Sequence, residues 1–199
     1  MNYPKFFENT PTIKLQDPLS DFLGTFEEGI VEFSYLDIVK SAGHSCPTVS
    51  GAYLCTVKAL EELYKDETPI RGNIHVRFKS DPLEGVAGVI ANVVTQITGA
   101  TEHSGFKGLN GKFARNNLME FSADISAQME FKRLDTGKSV TVNYDPSSVG
   151  ANPKMQELMG KLMQGVASSE EKKAFGELWQ ERVKAIFERA NEVVRVVLH

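Results

Sequence analysis

The segment Gly43–Thr48 holds the residues best suited to chemistry, because His44 and Cys46 lie two positions apart at the predicted start of a helix. Imidazole nitrogen and thiolate sulfur are ligands that zinc and similar transition metals favour. A helix N-terminus presents unpaired N–H groups and partial positive charge, which favour a thiolate. The pair therefore indicates metal binding or a reactive thiol. A polar helix cap beside a buried thiol is the purely structural alternative.

Two ligands do not complete a metal site, so further donors must come from elsewhere in the chain or from a partner. His103 is the first candidate, since it lies in a glycine-rich loop (residues 99–111) that follows a predicted helix. Such a loop bends sharply or approaches another group closely. Glu102 is a weaker oxygen donor, and an exposed histidine without a role is the alternative for His103. We interpret His75 as a strand-face histidine and Cys55 as a packing residue.

Composition narrows the class of protein. The chain has 199 residues, 41% hydrophobic and 24% charged, which is ordinary for a globular protein of one domain with or without a helical extension. Its net charge is −4 and it has no Lys/Arg cluster, so nucleic-acid binding is not expected.

No apolar run approaches the roughly 20 residues of a membrane span, and no leader is recognisable. With only two cysteines, a cytoplasmic protein with free thiols is expected, and small molecules are the expected ligands.

Helix signals surround the His-x-Cys segment. Apolar residues recur at three- and four-residue spacing over residues 48–64, and Pro47 suits the first turn of that helix. Gly43 is predicted to end a helical segment over residues 37–41. Further helices are predicted over residues 83–98, 155–163 and from Ser168 nearly to the C-terminus, where Glu171 completes a capping box with Ser168.

Strand signals separate these helices. Residues 73–79 alternate between apolar and polar side chains, which is typical of a half-buried strand. Other strands are predicted over residues 30–35, 118–125, 128–134 and 138–144, the last two joined by a hairpin at Asp135-Thr136-Gly137. The first 23 residues are predicted to form an irregular lead-in without chemistry.

These elements predict an α+β fold with a mixed, largely antiparallel sheet packed with helices and a C-terminal helical extension. We assign residues 1–150 to the core, including the irregular lead-in. Residues 151–199 are assigned to a helical tail that packs on the core or on a partner subunit.

Two motifs carry a resemblance to a known family. Residues 37–47 (Asp-Ile-Val-Lys-Ser-Ala-Gly-His-Ser-Cys-Pro), the helix after them, and Ile97-Thr98-Gly99-Ala100-Thr101 before the glycine loop resemble the FmdE family, named for a component of formylmethanofuran dehydrogenase. The Gly-His-x-Cys-Pro core is the most specific part, and the similarity spans residues 37–144. The tail from Pro153 resembles a bacterial branch without the C-terminal zinc-ribbon domain, since the chain has no CxxC pair.

The resemblance implies an α+β core assembled as a tight homodimer, with a metal or active site around the His-x-Cys motif. This chain departs from the family pattern at two positions. Thr48 stands where glycine is common, and Ala100 stands where many members have cysteine. Because alanine binds no metal, His103 is the predicted substitute three positions later.

The sequence therefore predicts a cytoplasmic, homodimeric protein in which His44 and Cys46 bind zinc or another divalent transition metal. His103 or an atom of the partner subunit would complete the shell, and the site would act on a small carbonyl-type substrate. Cys46 is the predicted catalytic residue. Two alternatives remain open: a metal-free reactive or redox thiol at Cys46, and a non-catalytic accessory module that holds a cofactor or partner.

Overall fold

The computed structural model describes residues 2–199, which form two sheets and a set of helices. A small antiparallel sheet pairs β1 (Ile13–Gln16) with β2 (Ile30–Phe33). A second sheet has the strand order β4-β3-β5-β6-β7. Its members are β3 (Ile74–Phe78), β4 (Met119–Glu120), β5 (Met129–Arg133), β6 (Ser139–Tyr144) and β7 (Val194–Leu198). Only the β3–β4 pair of this sheet is parallel, so the predicted α+β fold with a mixed, largely antiparallel sheet is confirmed.

The helices follow the predicted order along the chain. They are α1 (Pro18–Phe22), α2 (Tyr35–Ala42), α3 (Pro47–Tyr64), α4 (Ala87–Thr98), α5 (Lys154–Met163), α6 (Ser169–Glu188) and the short α7 (Ala190–Val193). The predicted capping box is present, because the Ser168 hydroxyl accepts from the Glu171 N–H and the Glu171 carboxylate accepts from the Ser168 N–H. Across residues 2–199, no helix combines the length and the apolar character needed to cross a membrane.

Helix α3 is the centre of the core. Most of its side chains are buried, including Tyr53, Leu60 and Cys55, so the helix has almost no solvent face. It lies against α4 and α6, and against the face of the sheet formed by β5, β6 and β7. This central position means that the residues at its first turn are held by several parts of the chain.

An arginine occupies an inward position of β5. Met129 and Phe131 alternate into the core, and Arg133 follows them at 3% exposure. Its guanidinium lies 4.0 Å from the centre of the Tyr64 ring and pairs with Glu67 and Asp135. The ring covers the face of the guanidinium while the carboxylates satisfy its N–H groups, which allows the charge to be buried.

The main differences from the sequence prediction concern one strand, the last helix and the lead-in. The predicted strand over residues 118–125 is reduced to Met119–Glu120, because Ser122 adopts a positive φ of 53° that an extended strand cannot hold. The last predicted helix ends at Glu188, and the valine-rich residues after it form the edge strand β7. The lead-in is not wholly irregular, since it contains β1 and the buried carboxylate of Asp17.

Candidate functional site

Cys46 is the N-cap residue of α3, as its position before Pro47 predicted. Its backbone is extended, and its Sγ accepts a hydrogen bond from the Val49 N–H at 3.4 Å. Gly43 ends α2 in the left-handed region at φ 77°, a conformation that glycine adopts without strain. The chain therefore turns between two helices, and the sulfur lies where the unpaired N–H groups of α3 begin.

His44 is exposed in the turn between the two helices. Its Nδ1 lies 3.0 Å from the carbonyl oxygen of Ala42. Because a carbonyl oxygen only accepts hydrogen bonds, Nδ1 carries the proton and donates it there. The tautomer leaves the lone pair of His44 on Nε2, which is the form that a metal ligand requires.

Ser45, between these two residues, is held by α6. Its carbonyl oxygen accepts from Trp179 Nε1 at 3.0 Å and from Gln180 Nε2 at 3.2 Å. Its hydroxyl donates to Gln180 Oε1 at 2.9 Å and contacts the hydroxyl of Tyr35 at 2.8 Å. The backbone of the motif is thus fixed by side chains from a distant helix rather than by its own loop.

The buried phenol of Tyr35 and the half-buried phenol of Tyr144 lie near Cys46. Burial is the main cause that raises the pKa of Tyr35 and of Tyr144. Both phenols therefore keep their protons at neutral pH. The Tyr144 hydroxyl donates to the carbonyl oxygen of Pro47 at 2.7 Å, directly beside the sulfur-bearing residue.

A cavity of about 420 Å³ opens beside the first turn of α3. Pro47 and Thr48 form one wall, and the first turn of α4 forms the opposite one. This volume is in the range of small-molecule sites. The remaining lining comes from Phe78, Ser80, Glu84, Gly85, Gln128, Met129, Tyr144 and Pro146.

His103 lies in the glycine-rich loop after α4, and its side chain is 82% exposed. Its Nδ1 is 3.1 Å from Asn117 Oδ1, and its Nε2 is 3.9 Å from a carboxylate oxygen of Glu102. Within residues 2–199, no three or more His, Cys, Asp or Glu side chains come together in a group that could hold a metal ion. A single chain therefore does not assemble His44, Cys46 and His103 into one metal-holding group.

The other residues singled out from the sequence lie in the body of the fold. Cys55 is fully buried in α3, and burial raises the pKa of its thiol. His75 is half-buried on β3, where burial lowers the pKa of its imidazole. Ala100 is completely buried after α4. These three positions carry no group that reaches the His-x-Cys segment.

A buried ionic cluster was not foreseen from the sequence. The Asp17 carboxylate accepts from Arg71 Nη1 at 2.9 Å and from Arg115 Nη2 at 2.5 Å. It also caps α1 by accepting from the N–H groups of Leu19 and Ser20. Asp17 before Pro18 was a readable helix-cap signal, but nothing in the spacing links residues that are 54 and 98 positions apart.

Fold and site together define the class: an α+β protein in which a His-x-Cys pair begins a buried central helix. A family model described as FmdE, molybdenum formylmethanofuran dehydrogenase operon, matches residues 42–195. The chain therefore belongs to the FmdE family, and the resemblance seen in its motifs is confirmed. The match begins at residue 42, inside the resemblance of residues 37–144, and extends past residue 144 to include α6, which holds Ser45. A search of curated proteins finds no match.

Proposed function

We propose that this chain is a metal-binding accessory protein whose His44 and Cys46 bind zinc or another divalent transition metal. The hydrogen bond from His44 Nδ1 to the Ala42 carbonyl is the observation that carries the proposal. Metal-binding histidines are commonly oriented by such a bond on the second ring nitrogen. Cys46, two residues later, supplies a sulfur at the positive end of an 18-residue helix.

One chain supplies two ligands for such a metal site, which is fewer than a complete site needs. We propose that a second copy of the chain supplies the remaining ligands. A symmetric homodimer with the motif near its twofold axis would bring further donors to the same ion. His103 is available for this purpose because its side chain is largely exposed. A metal bound there would act as a Lewis acid toward a small carbonyl-type substrate. Pro47 and Thr48 would contribute one wall of the substrate cavity, and Tyr144 another part of its lining.

Localisation follows from the thiols as part of the same proposal. Both cysteines are free, one half-buried at the start of α3 and one inside it. Free thiols suit a reducing compartment, so we propose that the protein acts in the cytoplasm.

Elemental analysis of the purified full chain tests the metal proposal. We expect about one metal per one or two chains, and a loss of most of it in Cys46→Ser and in His44→Gln. His75→Gln is the matched control, because His75 lies on β3 and belongs to no metal-holding group of three or more side chains within residues 2–199. The metal content of His103→Gln shows whether His103 is a further ligand of the same metal. Equal metal content in wild type, Cys46→Ser and His44→Gln would overturn the proposal.

The oligomeric state is measured on the same samples by light scattering. We expect a dimer that contains the metal, and metal removal by a chelator to weaken or abolish it. A metal-loaded monomer would contradict the shared site while leaving the assignment of His44 and Cys46 intact.

A reactive thiol at Cys46 is the second candidate function. The hydrogen bond from the Val49 N–H to Sγ favours it, because that donor stabilises negative charge on the sulfur. Metal-stripped protein separates the two candidates. Fast alkylation of Cys46 in a protein that never retains metal would support the thiol function over the metal site.

A further inference from the structure

A second cavity, which we call the Arg71 cavity, lies between β2, α2 and the end of α4. Its volume is about 420 Å³, within the range of small-molecule sites. Val31 and Phe33 of β2 and Ile38 of α2 form its apolar wall. Arg71 and Gln96 bring polar groups to the other side. The cavity shares no lining residue with the one beside the first turn of α3.

Two carboxylates and one guanidinium line the Arg71 cavity, and each carboxylate also pairs with a cation outside the lining. Asp17 pairs with both Arg71 and Arg115, so one carboxylate faces two guanidinium groups. Asp17 and Arg115 have side chains only 8% exposed, which limits screening by water. Asp37 also lines the cavity, but its carboxylate lies 3.6 Å from Lys40 and accepts two bonds from Ser34. With Arg115 paired to Asp17 and Lys40 to Asp37, the charge left over at the cavity is that of Arg71, which favours an anion.

Arg71 retains hydrogen-bonding capacity. Its Nε donates to the Ile97 carbonyl at 3.0 Å, its Nη2 to the Gln96 carbonyl at 3.1 Å and its Nη1 to Asp17. A guanidinium has five N–H groups, so two remain for a ligand. The side chain of Arg71 is 24% exposed, whereas that of Arg115 is only 8% exposed. A ligand can therefore reach Arg71 more readily than Arg115.

Two buried polar atoms at the same cavity have no partner. Oε1 of Gln96 and Oγ of Ser20 are shielded from solvent and make no hydrogen bond in the described structure. The Gln96 amide nitrogen donates to Ser41 and the Gln96 backbone carbonyl accepts from Arg71. Buried polar groups are nearly always paired, so these two atoms point to a missing partner. Arg71 Nη2 donates to the backbone carbonyl of Gln96, so the two residues are neighbours in the lining of the cavity.

We propose that the Arg71 cavity binds a small organic 2-hydroxy carboxylate with an apolar substituent. The carboxylate accepts from the two remaining N–H groups of Arg71, and the neighbouring hydroxyl donates to Gln96 Oε1. The apolar substituent lies against Phe33, Val31 and Ile38. This site is separate from the His-x-Cys segment, and its test does not depend on the metal proposal.

Calorimetric titration of the full chain with three matched probes tests each part of this assignment. Mandelate carries the carboxylate, hydroxyl and ring, phenylacetate lacks the hydroxyl, and mandelamide lacks the charge. We expect mandelate to bind most tightly, with phenylacetate roughly fivefold weaker for the loss of one neutral hydrogen bond. Mandelamide is expected to be weaker than mandelate by roughly tenfold or more, because a charge-assisted pair is lost.

Variants assign the binding to this cavity. Arg71→Gln is expected to weaken mandelate by roughly tenfold or more, and Gln96→Leu to make mandelate and phenylacetate bind equally. Arg77→Gln is the control, because Arg77 pairs with Glu120 and Glu130 on β3 and does not line the cavity. If Arg71→Gln does not fold, Val31→Phe replaces it, since the larger side chain fills the cavity and should abolish binding.

Any one of three results would overturn the proposal. The first is that wild type does not bind mandelate at concentrations up to about 10 mM, which is near the affinity expected for so small a ligand. The second is equal affinity for mandelate and mandelamide, and the third is unchanged mandelate affinity in both Gln96→Leu and Val31→Phe.

Discussion

Tyr144 of β6 donates its hydroxyl hydrogen to the carbonyl oxygen of Pro47, so the sheet fixes the first turn of the central helix. The ring of Tyr144 passes directly over Gly51, where any Cβ would overlap it. Glycine in a helix interior normally lowers stability. Here its missing side chain gives the ring room to reach Pro47.

Gly51→Ala is expected to destabilise the protein although alanine is the better helix former. The better helix propensity of alanine should stabilise the folded state by about 1 kcal/mol. Displacing the Tyr144 ring should destabilise it by about 1–3 kcal/mol. The measurement is the free energy of unfolding from urea titration. In a Tyr144→Ala background the overlap is gone, so the same substitution should become stabilising by up to about 1 kcal/mol. A stabilising effect in both backgrounds would contradict the role given to Gly51.

The two cysteines are expected to differ strongly in alkylation. Cys46 is half-buried at the start of α3, whereas Cys55 is fully buried, and its thiol has a pKa raised by that burial. Iodoacetamide should therefore modify only Cys46 in the native protein and both residues in urea. Peptide mass spectrometry measures the two sites separately. Native modification of Cys55 at a comparable rate would show that α3 opens far more readily than its packing indicates.

Gln180→Leu is expected to loosen the His-x-Cys segment without unfolding the protein. The substitution removes the two bonds from Gln180 to Ser45 and leaves the Trp179 bond in place. Amide hydrogen exchange over residues 43–49 should accelerate, because the local free energy of opening falls. The control is Gln164→Leu, an exposed position after α5. If metal binds at His44 and Cys46, its affinity should also fall, since supporting contacts tune such sites by 10–100-fold, an order-of-magnitude range.

Asp17→Asn is expected to cost about 3–5 kcal/mol of unfolding free energy at neutral pH, because Arg115 is left buried without its counter-charge. The fully exposed Asp145, which caps only a short turn, provides the control Asp145→Asn. That change should cost far less than Asp17→Asn, because water solvates the exposed side chain. Similar losses for the two variants would argue against the buried cluster.

The stabilisation from Asp17 should depend on pH. Burial alone would raise the pKa of this carboxyl, but the hydrogen bond from Arg71 and the charges of Arg115 and Arg71 hold it below its usual range. The contribution is therefore complete above the unfolded pKa of about 3.9 and is lost as the pH falls through the lower folded value. The difference in stability between wild type and Asp17→Asn should shrink over that acidic range. A difference that stays constant from neutral to acidic pH would contradict the charge pairing.

Local signals were sufficient to predict much of the fold. The spacing of apolar residues and Pro47 predicted α3 and its Cys46 cap, and alternation predicted β3. The turn at residues 135–137 predicted the hairpin of β5 and β6. Each of these signals is local in the sequence. The edge strand β7 was missed, since pairing with β6 outweighs the helical pattern that precedes it. The Asp17 cluster and the bonds from α6 to Ser45 depend on contacts between distant segments, which no local pattern encodes.

The attachment of Ser45 to α6 also has a consequence for the folding pathway. Its partners Trp179 and Gln180 lie 134 and 135 positions later in the chain. Contacts of such high sequence separation carry a large loop-closure entropy and raise the contact order. We therefore expect the turn around Cys46 to reach its final geometry late in refolding, after α3 and the β5–β6 hairpin have formed. Partly folded intermediates would then expose an unprotected thiol, so oxidation during refolding should be concentrated at this residue.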